Sequence, residues 1–393
     1  MTDLRSAVDL RSGILTSAER LSREVGLPVI GMIVPGSLEG VVAAAHPDLA
    51  VNIMPEGEGP FLVLNARLLE LPTGDLPALG TAMVDSDDQS IGSALLDRSS
   101  LQSLIEHREL PDGVSRSSKV DLPLARAAWD VFATAGSRIA SDLDLLAAEI
   151  GASSDPRTQG AMVLGDHPVQ VDDTVGIDPG VVLDAREGAI FIGPGVHLGI
   201  HAAIHGPCAV LDGTRIADHA TIKANTVIGP HCRIGGEVGG TVFQGFANKS
   251  HDGHLGDSWV GSWANLGAAT VNSNLLNTYG EVTMKLTPGG PRIRSGRQFL
   301  GCIVGDHAKT AIGTRIMTGT AIGTGAMVAT STPPPATTPA FAWLTDDGTR
   351  SYRFEKFIEV ARAVMARRKI VLEVGVEDRL RVLHAEATAE GGS

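Results

Sequence analysis

Two imidazoles and four carboxamides crowd one short stretch of this chain. His251 and His254 stand in NKSHDGHLGD, and Asn265, Asn272, Asn274 and Asn277 follow closely. Imidazole titrates near neutral pH and can therefore move protons in a reaction. Asparagine side chains donate and accept hydrogen bonds at once, which suits a polyhydroxylated ligand. A basic group, Lys285, Arg292, Arg294 and Arg297, comes next, read either as a solvated loop or as contacts to phosphate. Other chemistry-bearing residues are more scattered. Asp85, Asp87 and Asp88 in VDSDDQS are imaginable magnesium ligands but read better as an acidic turn. Cys208, Cys232 and Cys302 lack CxxC spacing, so they suggest neither a disulfide framework nor a zinc ribbon.

The elements that must hold these residues announce themselves by a count of six. Ile192, Leu198, Ile204, Val210, Ile216, Ile222, Ile228 and Ile234 are spaced by six without a break, and the count resumes at Val304, Thr310, Ile316, Ile322 and Val328. A 3.6-residue helix would rotate such positions around its axis, and a sheet meander would not keep the count through its turns. Short strands joined by tight corners do keep it. Three strands close a triangular coil, and stacked coils bury the aliphatic position in a column, with glycine expected where a corner needs positive φ. A right-handed solenoid, with a longer and looser repeat, is the alternative. Between Ile234 and Val304 the count lapses. There the sequence predicts a loop ejected from the coil, carrying the polar cluster.

Residues 166–332 are thus read as the coiled domain. Residues 1–121 precede it as a mixed α/β domain, with a helix over 8–25 and short buried strands in LPVIGMIVPG and GPFLVL. Residues 122–165 form a helical connector with an apolar stripe. Residues 333–393 hold the end of a stiff proline-rich spacer (STPPPATTP), a helix over 352–372 and a frayed polar tail.

Glycine is abundant (47 residues) and aromatics scarce (4%), as many turns and a core of small aliphatics require. The net charge of −13 argues against a nucleic-acid or membrane-surface binder, both of which need a positive field. MTDLRSAVDLRSG has no apolar signal-peptide core, and no run of about 18 apolar residues occurs, so a cytoplasmic protein is expected.

NKSHDGHLGD, ANLGAATVNSN, NTYG, GRQFLGCIVGDHAKTAIGT and PAFAW resemble the acetyltransferase half of the bacterial bifunctional enzymes that acetylate glucosamine-1-phosphate and uridylylate the product. The likeness is greater to the divergent sugar nucleotidyltransferase branch of that family. Weaker likeness runs back through VDLRSGILTSAERL, so that it covers nearly the whole chain. It implies a degenerate α/β nucleotidyltransferase-like domain, then a left-handed parallel β-helix and a C-terminal helix. It also implies a homotrimer with active sites between neighbours. His251 aligns with the catalytic base, which takes a proton from an amino sugar's amine as that amine attacks the thioester of acetyl-CoA. Asn265 is grouped with it. Glu237, Lys249, His254, Asn274, Asn277 and Tyr279 are expected at the sugar, with His254 where relatives carry tyrosine. Lys285, Arg292, Arg297 and Lys309 are expected at the coenzyme. Two basic sugar-phosphate contacts of the family fall on Gly239 and Gly280 here, and Lys249, Lys285 or Arg292 are the candidates to replace that charge.

The expected activity is acyl(acetyl)-CoA-dependent N-acylation of an amino-sugar phosphate or nucleotide-linked amino sugar. Sugar-1-phosphate nucleotidylyl transfer, which would bring Mg, is the alternative. It is disfavoured because the resemblance begins downstream of the family's phosphate-binding loop and no GxGxxG or GxxxxGK replaces it. A non-catalytic sugar-nucleotide-binding or assembly protein is a third reading. Zinc carbonic anhydrases share such coils, and His197, His201 and His205 invite comparison, yet they occupy three different hexad positions and do not converge.

Overall fold

The computed structural model describes every residue except 73–75, 87, 88, 120, 121, 151–154 and 391–393. Asp87 and Asp88 therefore lie outside the described residues. The chain divides into two compact units: residues 2–10 with 15–128, and residues 11–14 with 129–393 (Met1 joins the second).

The larger unit is a left-handed parallel β-helix whose strands stack into three long sheets of six, nine and ten strands. We call these sheets faces one, two and three. Face one carries Val182–Asp184, Ala203–His205, Thr221–Ile222, Glu237–Gly239 and His254–Gly256. Face two carries Ile190–Ile192, Cys208–Val210, Thr226–Ile228 and Val242–Phe243, and face three His197–Leu198, Arg215–Ile216, Arg233–Ile234, Asn248–Lys249, Asn265–Leu266 and Lys309–Thr310. On face one the middle row points inward, so Leu183, Ile204, Ile222, Val238 and Leu255 stack over one another and are fully sequestered. Ile190, Ile192, Leu198, Val210, Ile228 and Ile234 complete the dry interior. Full burial of each aliphatic side chain is worth about 1.5–3 kcal/mol, and the interior repeats it coil after coil.

The coil does not stop at Ile234, and this corrects the expected ejected loop. Arg215 lies over Arg233, eighteen residues on, but Arg233 lies over Asn248 after fifteen and Asn248 over Asn265 after seventeen. Corners shorten while strands keep their register, so the aliphatic count is lost and the architecture is not. The excursion itself is only 275–299. It leaves and returns through the antiparallel bridge Leu275–Phe299 and carries its own small hairpin, Thr283–Met284 with Ile293–Arg294. After it, Asn265 finds its partner in Lys309.

The corners use glycine in two ways. Glycine takes positive φ at corners such as Gly195, Gly213 and Gly313, as expected, whereas Gly229 serves close approach: a Cβ there would lie 2.4 Å from the Phe243 carbonyl oxygen. At four successive corners of one edge the positive φ falls on non-glycine residues, His231 (57°), Phe246 (55°), Trp263 (64°) and His307 (57°). These rings stack coil on coil, with centroid separations of 5.0, 4.4 and 6.3 Å. Each such backbone costs on the order of 1 kcal/mol for a non-glycine residue, and ring stacking offsets it at about 0.5–1.5 kcal/mol per pair.

Helix α1 (Ala135–Leu146) packs on face two, where Gly136 sits so close to Asn225 that a Cβ would meet its carboxamide. The proline-rich segment is not a spacer. Thr337–Thr338 and Ala342–Thr345 add further rungs, the latter closed by an antiparallel strand, Gly348–Ser351. Helix α2 (Phe354–Ala366) buries Phe357, Ile358 and Ala361, and a second C-terminal helix, α3 (Val374–Glu390), runs where much of the tail was expected to fray.

The smaller unit holds a four-stranded sheet in the order Phe61–Leu64, Ile91–Leu96, Thr81–Asp85, Ser115–Lys119. The helix Arg98–His107 packs Leu101, Leu104 and Ile105 into its core. The single helix expected over 8–25 is a 3-10 turn (Ala7–Asp9) and a helix beginning at Ser17. Thr16 and Glu19 form a reciprocal capping box there, a start signal written in the sequence. LPVIGMIVPG is strand only at Gly31–Met32, and Leu27 and Ile30 are exposed. Asp85 is buried against Arg126 at 2.8 Å, so its carboxylate serves structure.

Ile228 sits in the column with no exposed surface. Ile228→Ala should cost about 3 kcal/mol, within the 2–5 kcal/mol of such truncations, read as a lowered midpoint in chemical denaturation.

Candidate active site at a corner of the coil

His251 occupies the corner between Asn248–Lys249 on face three and His254–Gly256 on face one. Its side chain is exposed and makes no hydrogen bond among the described residues, while its carbonyl is held from below. That hold comes from Lys249, which takes an inward position opposite Ile234 and is 1% exposed. Its ammonium donates to the carbonyl oxygens of Gly235 (3.0 Å) and His251 (2.8 Å). Lys249, expected on the ligand, therefore points into the coil. The shortened corner moved it from the outer to the inner row, which the count of six could not reveal. Burial pulls its pKa down to about 8. Gly253 completes the corner at φ +129°, where a Cβ would come within 2.2 Å of the Thr270 carbonyl oxygen.

Outward on face one, Glu237 and His254 are register partners. His254 Nδ1 lies 3.3 Å from a Glu237 carboxylate oxygen, and Lys223 donates to the same oxygen. The Lys223 hydrogen bond holds the Glu237 carboxyl below its ordinary range, outweighing partial desolvation. Asn274 donates to Asp257 at 2.6 Å, while burial raises the Asp257 pKa against that bond and against the charges of His254 and Arg297. The floor between them is Gly256, where a Cβ would stand 2.7 Å from both His254 Nε2 and Asn274 Nδ2. A carboxylate, an ammonium, an imidazole and a carboxamide thus converge over bare backbone. Such a surface offers hydrogen-bond donors, acceptors and both signs of charge side by side.

Lys223 was not singled out from the sequence. It comes from the coil beneath, and its side chain fills the space that a residue at Gly239 would use, with the Gly239 Cβ position 3.0 Å from Lys223 Cβ. A positive charge, that of Lys223, therefore stands beside Gly239, whereas Lys249 turns into the coil.

Other expected residues separate into three groups. Asn272 is a structural clip: its amide donates to the Gly256 carbonyl oxygen and Ser258 Oγ and its oxygen accepts from Gly256 N–H. Asn265 and Lys309 are neighbours on face three, around the corner from Glu237, with Asn265 accepting from Asn248 at 3.4 Å. Asn277, Tyr279, Lys285 and Arg292 ride the excursion, and none hydrogen-bonds to the cluster. Tyr279 is 69% exposed, and the Lys285 carbonyl accepts from Thr337. Arg297, at the excursion's return, is the one of these cations whose charge reaches Asp257. His197 and His205 face Asp178 and Asp184 separately, and His201 stacks on His219. Among the described residues no three His, Cys, Asp or Glu side chains are grouped to hold a metal ion, and no helix is long and apolar enough to cross a membrane.

Stacked parallel coils with a polar corner define the hexapeptide-repeat β-helix class. No family model matches the chain. It has homologues at modest identity among bifunctional sugar-1-phosphate nucleotidyltransferase/acetyltransferases. The bifunctional protein GlmU of Nostoc sp. (strain PCC 7120) is 25% identical over 180 residues, 40% of this chain and 39% of the relative. The bifunctional protein GlmU of Methanococcus vannielii is 32% identical over 102 residues, 25% and 24% of the two chains. The chain thus spans about two-fifths or less of the length of these curated relatives. Among solved structures, a Francisella novicida UDP-N-acetylglucosamine acyltransferase is similar at 14% identity and a TM-score of 0.30, over 53% of this chain and 73% of that one.

A lysine whose pKa falls from 10.5 to about 8 on folding binds its proton less tightly in the folded state. It therefore adds stability as pH rises from about 8 to about 10.5, by at most about 3 kcal/mol. Replacing it, as in Lys249→Met, should flatten the rise of denaturation midpoint with pH in that window relative to the parent protein.

Proposed function

We propose that this protein is an acyl-CoA-dependent N-acyltransferase acting on an amino sugar that carries a phosphate or a nucleotide, with acetyl-CoA as the donor. The observation that carries the reading is the exposed, unbonded imidazole of His251 on a corner braced by Lys249 and Gly253, beside the Glu237–Lys223–His254–Asn274 cluster.

The acceptor lies on face one, with its hydroxyls on Glu237, His254 and Asn274 and its phosphate on Lys223, joined by Arg297. The acceptor amine, neutral as it attacks, forms a C–N bond to the thioester carbonyl carbon. His251 removes the proton released from nitrogen, the C–S bond breaks, and that proton leaves with the coenzyme thiolate. Asn265 and Lys309 serve the donor on face three. Asn277, Tyr279, Lys285 and Arg292, on the excursion, act across a subunit boundary in a homotrimer. Nucleotidylyl transfer is not supported in the smaller unit: Asp85 is held by Arg126, and no GxGxxG or GxxxxGK sequence supplies a phosphate cradle. Mg accordingly has no part in the scheme.

His251→Ala should lower acyl transfer, followed as thiol release over an amino-sugar panel, by about 10²–10⁴-fold, the usual yield of a positioned base. Turnover unchanged by that substitution would remove the mechanism. Lys223→Ala should raise KM for a phosphorylated acceptor about tenfold and leave the coenzyme KM alone; equal KM values in the parent would overturn the acceptor site. Light scattering of the intact chain should give three times 40.8 kDa.

A further inference from the structure

The smaller unit holds a cavity of about 570 Å³ that acyl transfer does not use. It is lined by two runs of consecutive residues, 27–33 and 60–66, and by one side of the helix Arg98–His107. A strand that turns its face to a cavity lines it with every second residue. One that turns its edge lines it with an unbroken run, and each run here contains a strand at the end of a sheet. Phe61–Leu64 is the outermost strand of the four-stranded sheet, and Gly31–Met32 pairs on one side only, with Ala50–Val51. Among the described residues no hydrogen bond joins the two runs.

The phase of the hydrogen bonds shows which backbone groups are left over. Asn65 N–H donates to the Gly92 carbonyl oxygen. Phe61 and Val63 therefore bond to the neighbouring strand Ile91–Leu96, and the N–H and C=O groups of Leu62 and Leu64 point the other way. On the opposite run the Ile30 and Met32 carbonyl oxygens accept from Ala50 and Asn52 N–H, so the backbone of Gly31 and Ile33 is turned away from Ala50–Val51. Edges left to solvent are usually guarded by charged side chains, and neither run contains one. Instead Leu27, Ile30, Ile33 and Ile53 line the cavity while remaining exposed. Arg108 is the single charged residue of the lining among the described residues. It ends the helix Arg98–His107 in the left-handed region, exposed to solvent.

An acyl chain does not match such a lining. It would cover the aliphatic side chains and leave peptide N–H and C=O groups dry and unbonded. An extended peptide meets both demands, pairing its main chain with the open edges and seating alternate side chains among the aliphatics. A carboxylate at one end would complement Arg108. We infer that this cavity is a docking site for an extended, aliphatic segment of a partner protein, which adds a strand against the Leu62–Leu64 and Gly31–Ile33 edges and places an acidic residue beside Arg108. The inference is independent of the acyl-transfer reading.

Fluorescence anisotropy of the intact chain tests it. The probes are labelled hexapeptides that permute Val, Ile, Leu and Thr behind a leading Asp, since such a peptide spans about 20 Å when extended. The best binders should lose about tenfold in Kd when alternate amides are N-methylated, because a missing donor strands a buried acceptor. Leu62→Pro removes one outward N–H, spares the bonds to Ile91–Leu96 and should weaken the same peptides about as much. A leading Lys should also bind worse than Asp, and Arg108→Glu should reverse that order. Arg108→Glu, at an exposed position, keeps the test valid if the proline impairs folding. Sodium dodecanoate is the apolar control. Displacement of the peptides by dodecanoate, with no penalty for N-methylation, would overturn the strand in favour of an acyl chain. No binding by any peptide of the set would overturn the site, and acyl transfer would stand or fall separately.

Discussion

Register between stacked coils is the constraint on which this molecule depends. Each short strand bonds to the strands of the coils before and after it, and its inward side chains must land on those of its predecessor. A slip of one residue would turn an aliphatic row outward and a polar row inward. Strands therefore tolerate almost no change in length, and all variation is pushed into corners. Corners contract to give spacings of fifteen and seventeen, or open into a long excursion, and the column continues unbroken.

The same constraint explains where chemistry collects. A corner that contracts moves a residue from the outer to the inner row, and Lys249 is the result: a lysine among aliphatics, with its ammonium turned to the two carbonyls of its own corner. It braces the backbone of His251 while leaving the imidazole outside. Stacking of equivalent positions then brings residues from different coils together. Lys223, Glu237 and His254 come from three successive rungs of one face, and the rings of Phe246 and Trp263 from two rungs of one edge.

Two faces divide the work. Face one carries a mixed set of acid, base and amide groups over a glycine floor. Face three carries cations with neutral partners. His251 stands at the corner where the two faces meet.

The stacked coil was legible in the sequence because burial in a column imposes one aliphatic residue per strand, and the strands between Ile192 and Ile234 are evenly spaced. The break in the count beyond Ile234, in which His251 stands, was legible as well. The meaning of that break was not. Whether missing periodicity is an ejected loop or a run of shortened corners depends on interstrand hydrogen bonds between residues far apart in the chain, which no local pattern encodes. For the same reason the sequence did not reveal that Lys249 turns inward, that Lys223 reaches over Gly239, or that Arg367 and Arg368 fold back onto Arg233. Residue type and spacing determined the repeat and the chemistry on offer. Which side chains meet was decided by the coil, because stacking joins residues by rung and face and not by nearness in sequence.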